Sequence, residues 1–317
     1  MWMIFAFSSM VLYAMEELVG KRVVRENTTS GSWMVYSMAA LFTFSSAVIM
    51  WILGMGESGQ SPICILMENP LILLNSICTC LASLLVFVAF KYIGVSIEAS
   101  ISGISSIFLF LGLVSINVFT GKLEAVKELF YPGRLIPIIA IIILIILLSK
   151  TDDVAVNVAL KNKKKRTAML TGILIVLLAC IFDASDSLIF AYCISEKPIG
   201  EIDYYMAVNL PNLFYGLFSC IMAVVLSKKA NYKFQFTRKS VLLLVLIGVF
   251  DISCLITYVI GSGYDAVKFA MLYIAYPIVP LIGAGVFLKE RYTAKQYFCI
   301  FGIAISSIVF CLMDYVG

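Results

Sequence analysis

Apolar runs of about twenty residues recur from one end of this chain to the other, and they constrain its fold more than any other feature. A run of that length spans a hydrocarbon core about 30 Å thick. Because lipid offers no partner to backbone polar groups, such runs must be helices. Of the 317 residues, 62% are hydrophobic and only 13% are charged. The sequence therefore predicts an all-α integral membrane protein.

We predict ten transmembrane helices, and no cleavable signal sequence before the first of them. The loops between the third and fourth helices and between the eighth and ninth are so short that each pair must form a tight hairpin. The predicted spans are Trp2–Val19, Trp33–Leu53, Pro70–Tyr92, Ser96–Val118, Leu135–Leu148, Ala168–Tyr192, Tyr205–Leu226, Val241–Ile260, Ala266–Leu288 and Tyr297–Met313.

Lysine and arginine set the expected orientation. Most of the 23 basic residues follow odd-numbered spans, and the segment "LKNKKKR" at 160–166 is the densest group. Short basic loops favour the cytoplasm, so this rule puts the odd-numbered loops inside the cell and both chain ends outside. We expect a multi-pass protein of the plasma membrane, in a prokaryote the inner membrane.

The two halves of the chain resemble each other at an offset of 169–170 residues. This offset pairs Tyr13 with Phe182 and Glu17 with Asp186. Five helices per half is an odd number, so the second half must enter the membrane from the opposite side. We predict inverted repeats at 1–150 and 167–317, joined by a basic connecting loop at 151–166. Transporters built this way bind their substrate near the midplane between the repeats.

Five carboxylates inside the predicted spans are candidates for a functional site: Glu16, Glu17, Asp183, Asp186 and Asp251. A charge near the middle of a membrane helix costs roughly 2.5–3.5 kcal/mol on insertion scales, so such residues usually face a cavity and act there. None of the predicted spans carries a lysine or arginine in its middle, so each acid must hold a proton or pair with a cationic ligand. We select Asp251, Asp186, Asp183 and Glu17 as binding residues for proton and substrate.

Each of these acids also has a structural interpretation. Glu16 and Glu17 are close in sequence to Lys21 and could simply mark a helix end. Asp183 and Asp186, which share one helix face, could accept hydrogen bonds from serines or from neighbouring helices.

Polar and aromatic residues are available to complete a cavity. We select Tyr258, Tyr273, Tyr276, Asn212 and Tyr215. An aromatic face gains roughly 0.5–2 kcal/mol from a cation held against it, which suits amines and quaternary ammonium groups. The alternative for each tyrosine is packing or an interfacial position.

Backbone irregularity is predicted at two kinds of position. Pro211, Pro277 and Pro280 remove helix hydrogen bonds and should kink their helices. The small residues between Ser100 and Ser106 should allow close helix packing rather than bind substrate.

The chain gives no reason to expect a metal, a cofactor or an enzyme. It has no histidine, and most of its nine cysteines fall inside predicted spans, where cysteine packs as a small hydrophobe. We find no phosphate-binding loop, no metal-ligand spacing and no nucleophile–base pair. The expected partners are the lipid bilayer, protons and a small-molecule substrate, with no nucleic acid and with the oligomeric state left open.

Three segments resemble the EamA-type ten-helix members of the drug/metabolite transporter superfamily. They are "LYAMEELVGK", "KYIGVSIEASISGISSIF" and "YDAVKFAMLYIAYPIVPLIGAGVFLKERYTAKQYFCIFGIAI". In the last, Glu290-Arg291-Tyr292-Thr293 and Gln296 match a motif that the family tends to show as E-R-L-T-x-x-Q-x-x-G. Cys299 replaces the final glycine, and the first-half equivalent is reduced to "FTGKLEAVKELF".

The resemblance implies a transporter of small organic solutes. It also implies termini in the cytoplasm, opposite to the charge bias. Our leading hypothesis is a proton-coupled secondary transporter of an organic cation or zwitterion, such as an amine, an amino acid or a cationic drug. The alternatives are an exporter of neutral or anionic metabolites and, more remotely, a membrane scaffold that transports nothing.

Overall fold

A computed structural model describes residues 2–119, 135–150, 162–196, 199–228, 234, 236–264, 276 and 278–316. These residues form helices and connecting turns, and none of them lies in a strand. The helices are α1 (Trp2–Ile52), α2 (Pro62–Glu68), α3 (Pro70–Ala89), α4 (Val95–Ser102), α5 (Ser105–Phe119), α6 (Leu135–Ser149), α7 (Asn162–Glu196), α8 (Glu201–Asn209), α9 (Asn212–Ser227), α10 (Arg238–Tyr264), α11 (Ile278–Gly283), a π-helical segment (Ala284–Leu288) and α12 (Ala294–Val316).

Helix α1 is a hairpin of two antiparallel arms, Met3–Asn27 and Ser30–Ile52. In a straight helix, residues 20 and 35 would lie about 22 Å apart along the axis. Instead, a Cβ atom on Gly20 would lie 3.3 Å from Val35 Cγ1. The chain thus reverses between the arms, as the first two predicted spans require.

Within the described residues, seven helical segments are long and apolar enough to cross a membrane, including both arms of α1. Three shorter apolar helices, Ile136–Leu148, Ile278–Leu288 and Ala294–Phe310, lie where three further spans are predicted. The chain is an all-α membrane protein.

Apolar side chains cover the outside of the helix assembly. Along α7, Leu170, Leu174, Leu178 and Ile181 recur at intervals of three or four residues and are 44–57% exposed. Such spacing forms one continuous stripe on a helix, and a continuous exposed apolar surface marks contact with lipid or another apolar partner. Several charged and polar side chains, among them Glu16, Glu17 and Glu98, are buried inside the assembly.

Some boundaries differ from those predicted from the sequence. The fourth predicted span is interrupted between α4 and α5, after Ser102. The seventh is interrupted between α8 and α9 at Pro211, because proline cannot supply the backbone N–H that a continuous helix needs. Helix α7 begins at Asn162, six residues before the predicted start, since lysine and arginine extend a helix readily.

One further helix, α2, was not predicted. It starts where Pro62 follows the N-cap residue Ser61, whose hydroxyl accepts a hydrogen bond from Cys64 N. Residues 266–275 and Pro277, which belong to the ninth predicted span, lie outside the described residues.

Helices from the two predicted halves of the chain interleave. The first arm of α1 packs on α10 and α11, the second arm packs on α9 and α10, and α3 and α5 pack on α7. In addition, α4 contacts α11, and α6 contacts α12. The polar centre of the molecule lies where α1, α3, α7, α8 and α10 meet.

Candidate functional site

The first cavity has a volume of about 350 Å³ and lies between α1, α3, α7, α8 and α10. Four carboxylates line it: Glu16, Glu17, Asp186 and Asp251. These acids come from three helices that are remote in sequence. The fold therefore brings together three of the four acids selected from the sequence, with Glu16 added.

Two threonines hold two of these acids. Thr79 Oγ1 donates a hydrogen bond of 2.7 Å to Asp186 Oδ1, and Thr43 Oγ1 donates to Asp251 Oδ2. Each hydroxyl also lies within hydrogen-bond distance of the carbonyl four residues earlier, at Asn75 or Ala39.

A hydroxyl has one proton to donate and can also accept. Each threonine can therefore donate to an ionised aspartate. If that aspartate is protonated, the threonine can turn its proton to the carbonyl and accept from the carboxyl group.

Glu16 and Glu17 are buried, with 4% and 3% of their surface exposed. Glu16 lies close enough to Asp251 and Glu17 to interact with both electrostatically. Among the described residues, Glu16 Oε2 has no hydrogen-bond partner. A buried acceptor without a partner is costly, so this oxygen is positioned for a ligand or a proton.

Lys21, the basic residue closest in sequence to Glu16 and Glu17, contacts the end of α3. Its ammonium group donates to Phe90 O and, at 2.5 Å, to Ile93 O, at the end of α3. It joins the first arm of α1 to the turn before α4.

Aromatic side chains form much of the rest of the first cavity. The Tyr205 and Tyr258 rings meet edge to face at 6.4 Å between centroids, and Phe190 packs at 5.0 Å against Tyr204. Tyr13 and Tyr36 also line the cavity. Within the part of the chain that the structure describes, the lining contains no lysine or arginine.

A second cavity, of about 470 Å³, adjoins the first. Its lining includes the carboxylates of Glu17, Glu98 and Asp183. The break between α4 and α5 also faces it, so the serines there line a cavity in addition to allowing close packing. Tyr276 joins this lining and lies 4.9 Å from Tyr13, centroid to centroid.

Glu98 was not among the site residues predicted from the sequence. It is 1% exposed, Ser102 Oγ donates to its Oε1 atom at 2.5 Å, and its Oε2 atom has no partner among the described residues. In the sequence it stands three residues into a predicted span, where acids commonly stabilise a helix N-terminus. Only the packing of α4 against α7 and α11 shows that it is enclosed.

The remaining predicted site residues divide into three groups. Asn212 and Tyr258 line the first cavity, and Tyr258 also reaches the second. Tyr215 lines neither of the two and packs into the apolar cluster between α1 and α9. Tyr273 lies outside the described residues.

The motif around Glu290 builds helix ends. Thr293 and Gln296 form a capping box at the start of α12: Thr293 N donates to Gln296 Oε1 at 2.8 Å, and Gln296 N donates to Thr293 Oγ1 at 3.3 Å. Glu290 caps α4, accepting hydrogen bonds from Val95 N at 3.1 Å and Ser96 N at 3.4 Å.

The described residues contain no group of three or more metal-ligating side chains arranged as a metal site. Comparison of the whole chain with protein-family models and with curated proteins finds no match. The chemistry of the two cavities must therefore be inferred from their own residues.

Proposed function

We propose that this protein is a secondary transporter of small organic cations that works by alternating access and exchanges its substrate for protons. The observation that carries this proposal is the lining of the first cavity. It has four carboxylates and several aromatic rings, and no basic side chain among its described residues. Such a cavity attracts cations, holds them against aromatic faces and repels anions.

Proton exchange follows from the same acids. Four carboxylates in one small cavity repel each other strongly when all are ionised. Bound protons or a cationic ligand must neutralise these acids, and binding of one displaces the other. The threonines beside Asp186 and Asp251 can serve either state, because a hydroxyl both donates and accepts.

Alternating access is supported by the helix contacts. In the proposed repeats, the first arm of α1 corresponds to α7, and α3 corresponds to α10. The contact between the first arm of α1 and α10 therefore corresponds to the contact between α7 and α3. The same correspondence maps the pairs α4–α11 and α6–α12 onto themselves, and all of these contacts occur. We therefore propose two inverted five-helix repeats, with the cavities at their interface.

The test uses purified protein in liposomes, with tetramethylammonium as the substrate because its charge is permanent and it does not cross lipid as a neutral amine. An imposed proton gradient should drive its movement. Asp251→Asn should abolish this proton-driven transport, and Asp186→Asn should weaken cation affinity in a pH-dependent way. Asp183→Asn, which alters only the second cavity, should have a smaller effect on this monovalent ion.

Thermal stability separates function from folding. Asparagine keeps the shape of aspartate and removes its charge, so the variants should remain folded. Wild-type transport and pH dependence in Asp251→Asn would remove Asp251 from the mechanism. An equal loss of stability in all three variants would favour a structural role, and transport of anions alone would favour the metabolite-exporter hypothesis.

A further inference from the structure

The two cavities are neighbours that share one wall. Among the described residues, seven line both: Tyr13, Glu17, Thr79, Ser83, Val86, Ser187 and Tyr258. Glu17 is the carboxylate in this group. A ligand that passes this wall would contact acids at both of its ends.

The acids alternate between the cavities along their helices. On α7, Asp186 lines the first cavity and Asp183 lines the second, which separates them by about 4.5 Å along the helix axis at 1.5 Å per residue. On α1, Glu16 lines only the first cavity, whereas Glu17 reaches both. On α7 the two aspartates are thus separated by a little less than one helical turn.

In the linings of the two cavities, three enclosed carboxylate oxygens lack a hydrogen-bond partner within the described residues. Glu16 Oε2 belongs to the first cavity, Glu98 Oε2 to the second, and Glu17 Oε2 to the wall that the cavities share. An ammonium group has three donors and would satisfy such an oxygen. One ammonium group can serve one cavity, so the pair of sites calls for a ligand with two.

The shared wall suits an aliphatic linker between two such groups. Val86, Tyr13 and Tyr258 offer apolar surface there, and methylene groups pack along apolar surface while charged ends reach polar partners. Neither cavity lining includes a lysine or arginine among its described residues, so both ends of the ligand meet negative charge.

Building on the proposed function, we propose that the preferred substrates are linear aliphatic diamines and polyamines, with one ammonium group in each cavity. The Glu98 side of the second cavity then selects for the second charge. A monovalent cation would occupy the first cavity alone.

Two four-carbon ligands test this proposal on the purified full-length protein by titration calorimetry: n-butylamine, with one ammonium group, and putrescine, with two. Putrescine should bind at least tenfold more tightly. Glu98→Gln should reduce the affinity for putrescine to that for n-butylamine and leave n-butylamine binding unchanged. Glu26→Gln, at an acid that is 40% exposed and distant from both linings, removes the same charge and should change neither affinity.

Asp183→Asn provides a second variant in the same cavity should Glu98→Gln fail to fold, and it should also reduce the preference for putrescine. Equal affinities of the wild-type protein for the two amines would overturn the proposal. So would a Glu98→Gln variant that weakens both ligands equally, or one that alters only the pH dependence of binding, since that identifies Glu98 as a proton site. Failure of both amines and of tetramethylammonium to bind would instead refute the proposed function itself.

Discussion

Glu290 caps α4, although it is far from that helix in the sequence. Its removal should lower the free energy of unfolding. Helix α4 begins after Gly94, which has no side chain to cap the helix. The Glu290 carboxylate replaces that cap by accepting from Val95 N, Ser96 N and Ser96 Oγ, and it also accepts from the Tyr292 hydroxyl. Only 8% of Glu290 is exposed, so water cannot easily take its place.

The magnitude follows from these contacts. Loss of a helix cap costs about 0.5–2 kcal/mol, and hydrogen bonds to a charged group contribute about 1.5–3 kcal/mol each. Because the bonds at Glu290 are partly long and share one carboxylate, we expect Glu290→Ala to lower the free energy of unfolding by about 2–4 kcal/mol. Glu290→Gln keeps one acceptor oxygen and should lose about half as much.

Reversible unfolding in mixed micelles, followed by circular dichroism against the denaturing detergent fraction, measures this change. Glu26→Ala is the matched control, since Glu26 forms exposed ion pairs with Arg22 and Lys239 and such pairs contribute about 0–1 kcal/mol. If Glu290→Ala and Glu26→Ala destabilise the protein equally, the assigned capping role is wrong.

Two further predictions concern the cap of α12 and the orientation of the chain in the membrane. Thr293→Ala and Gln296→Ala should each lower the free energy of unfolding by about 1 kcal/mol. The double variant should lose less than the sum of the two, because the two side chains form one capping box. Additive losses in the same unfolding assay would contradict this. The orientation can be tested with single cysteines introduced into a Cys64→Ser background and a membrane-impermeant thiol reagent on intact cells. A cysteine at Asn162 should resist the reagent, and one at Gln60 should react. The opposite pattern would place the termini in the cytoplasm.

The sequence predicted those features that depend on local composition. The length of an apolar run reports a membrane helix directly, and the α1 hairpin, α3, α6 and α10 lie close to their predicted spans. Pro211 interrupts its helix because its ring removes a backbone donor wherever it stands. The acids were equally visible, since a carboxylate in an apolar run has few explanations.

What the sequence did not reveal depends on contacts between distant segments. The hydroxyl partners of the aspartates, Thr43 and Thr79, are separated from them by 208 and 107 residues, and threonine is unremarkable in a membrane helix. Glu98 looked like an ordinary acid in the first turn of a helix, and only its packing encloses it. The division into two adjoining cavities likewise arises from helix packing, which no periodicity records.

If the acids bind the proposed substrate, their hydrogen bonds to threonine would link that binding to helix position. Asp186 and Asp251 belong to the second predicted half of the chain, whereas their partners Thr79 and Thr43 belong to the first. Any motion that separates α3 from α7, or the second arm of α1 from α10, must break one of these bonds and leave a carboxylate in need of another donor. Under the proposed function, a cation or a proton would supply that donor, and each ligand would bind the separated arrangement more tightly than the packed one. A difference in affinity between two arrangements is the condition for a ligand to shift their populations, and these two pairs would provide it at the cavity itself.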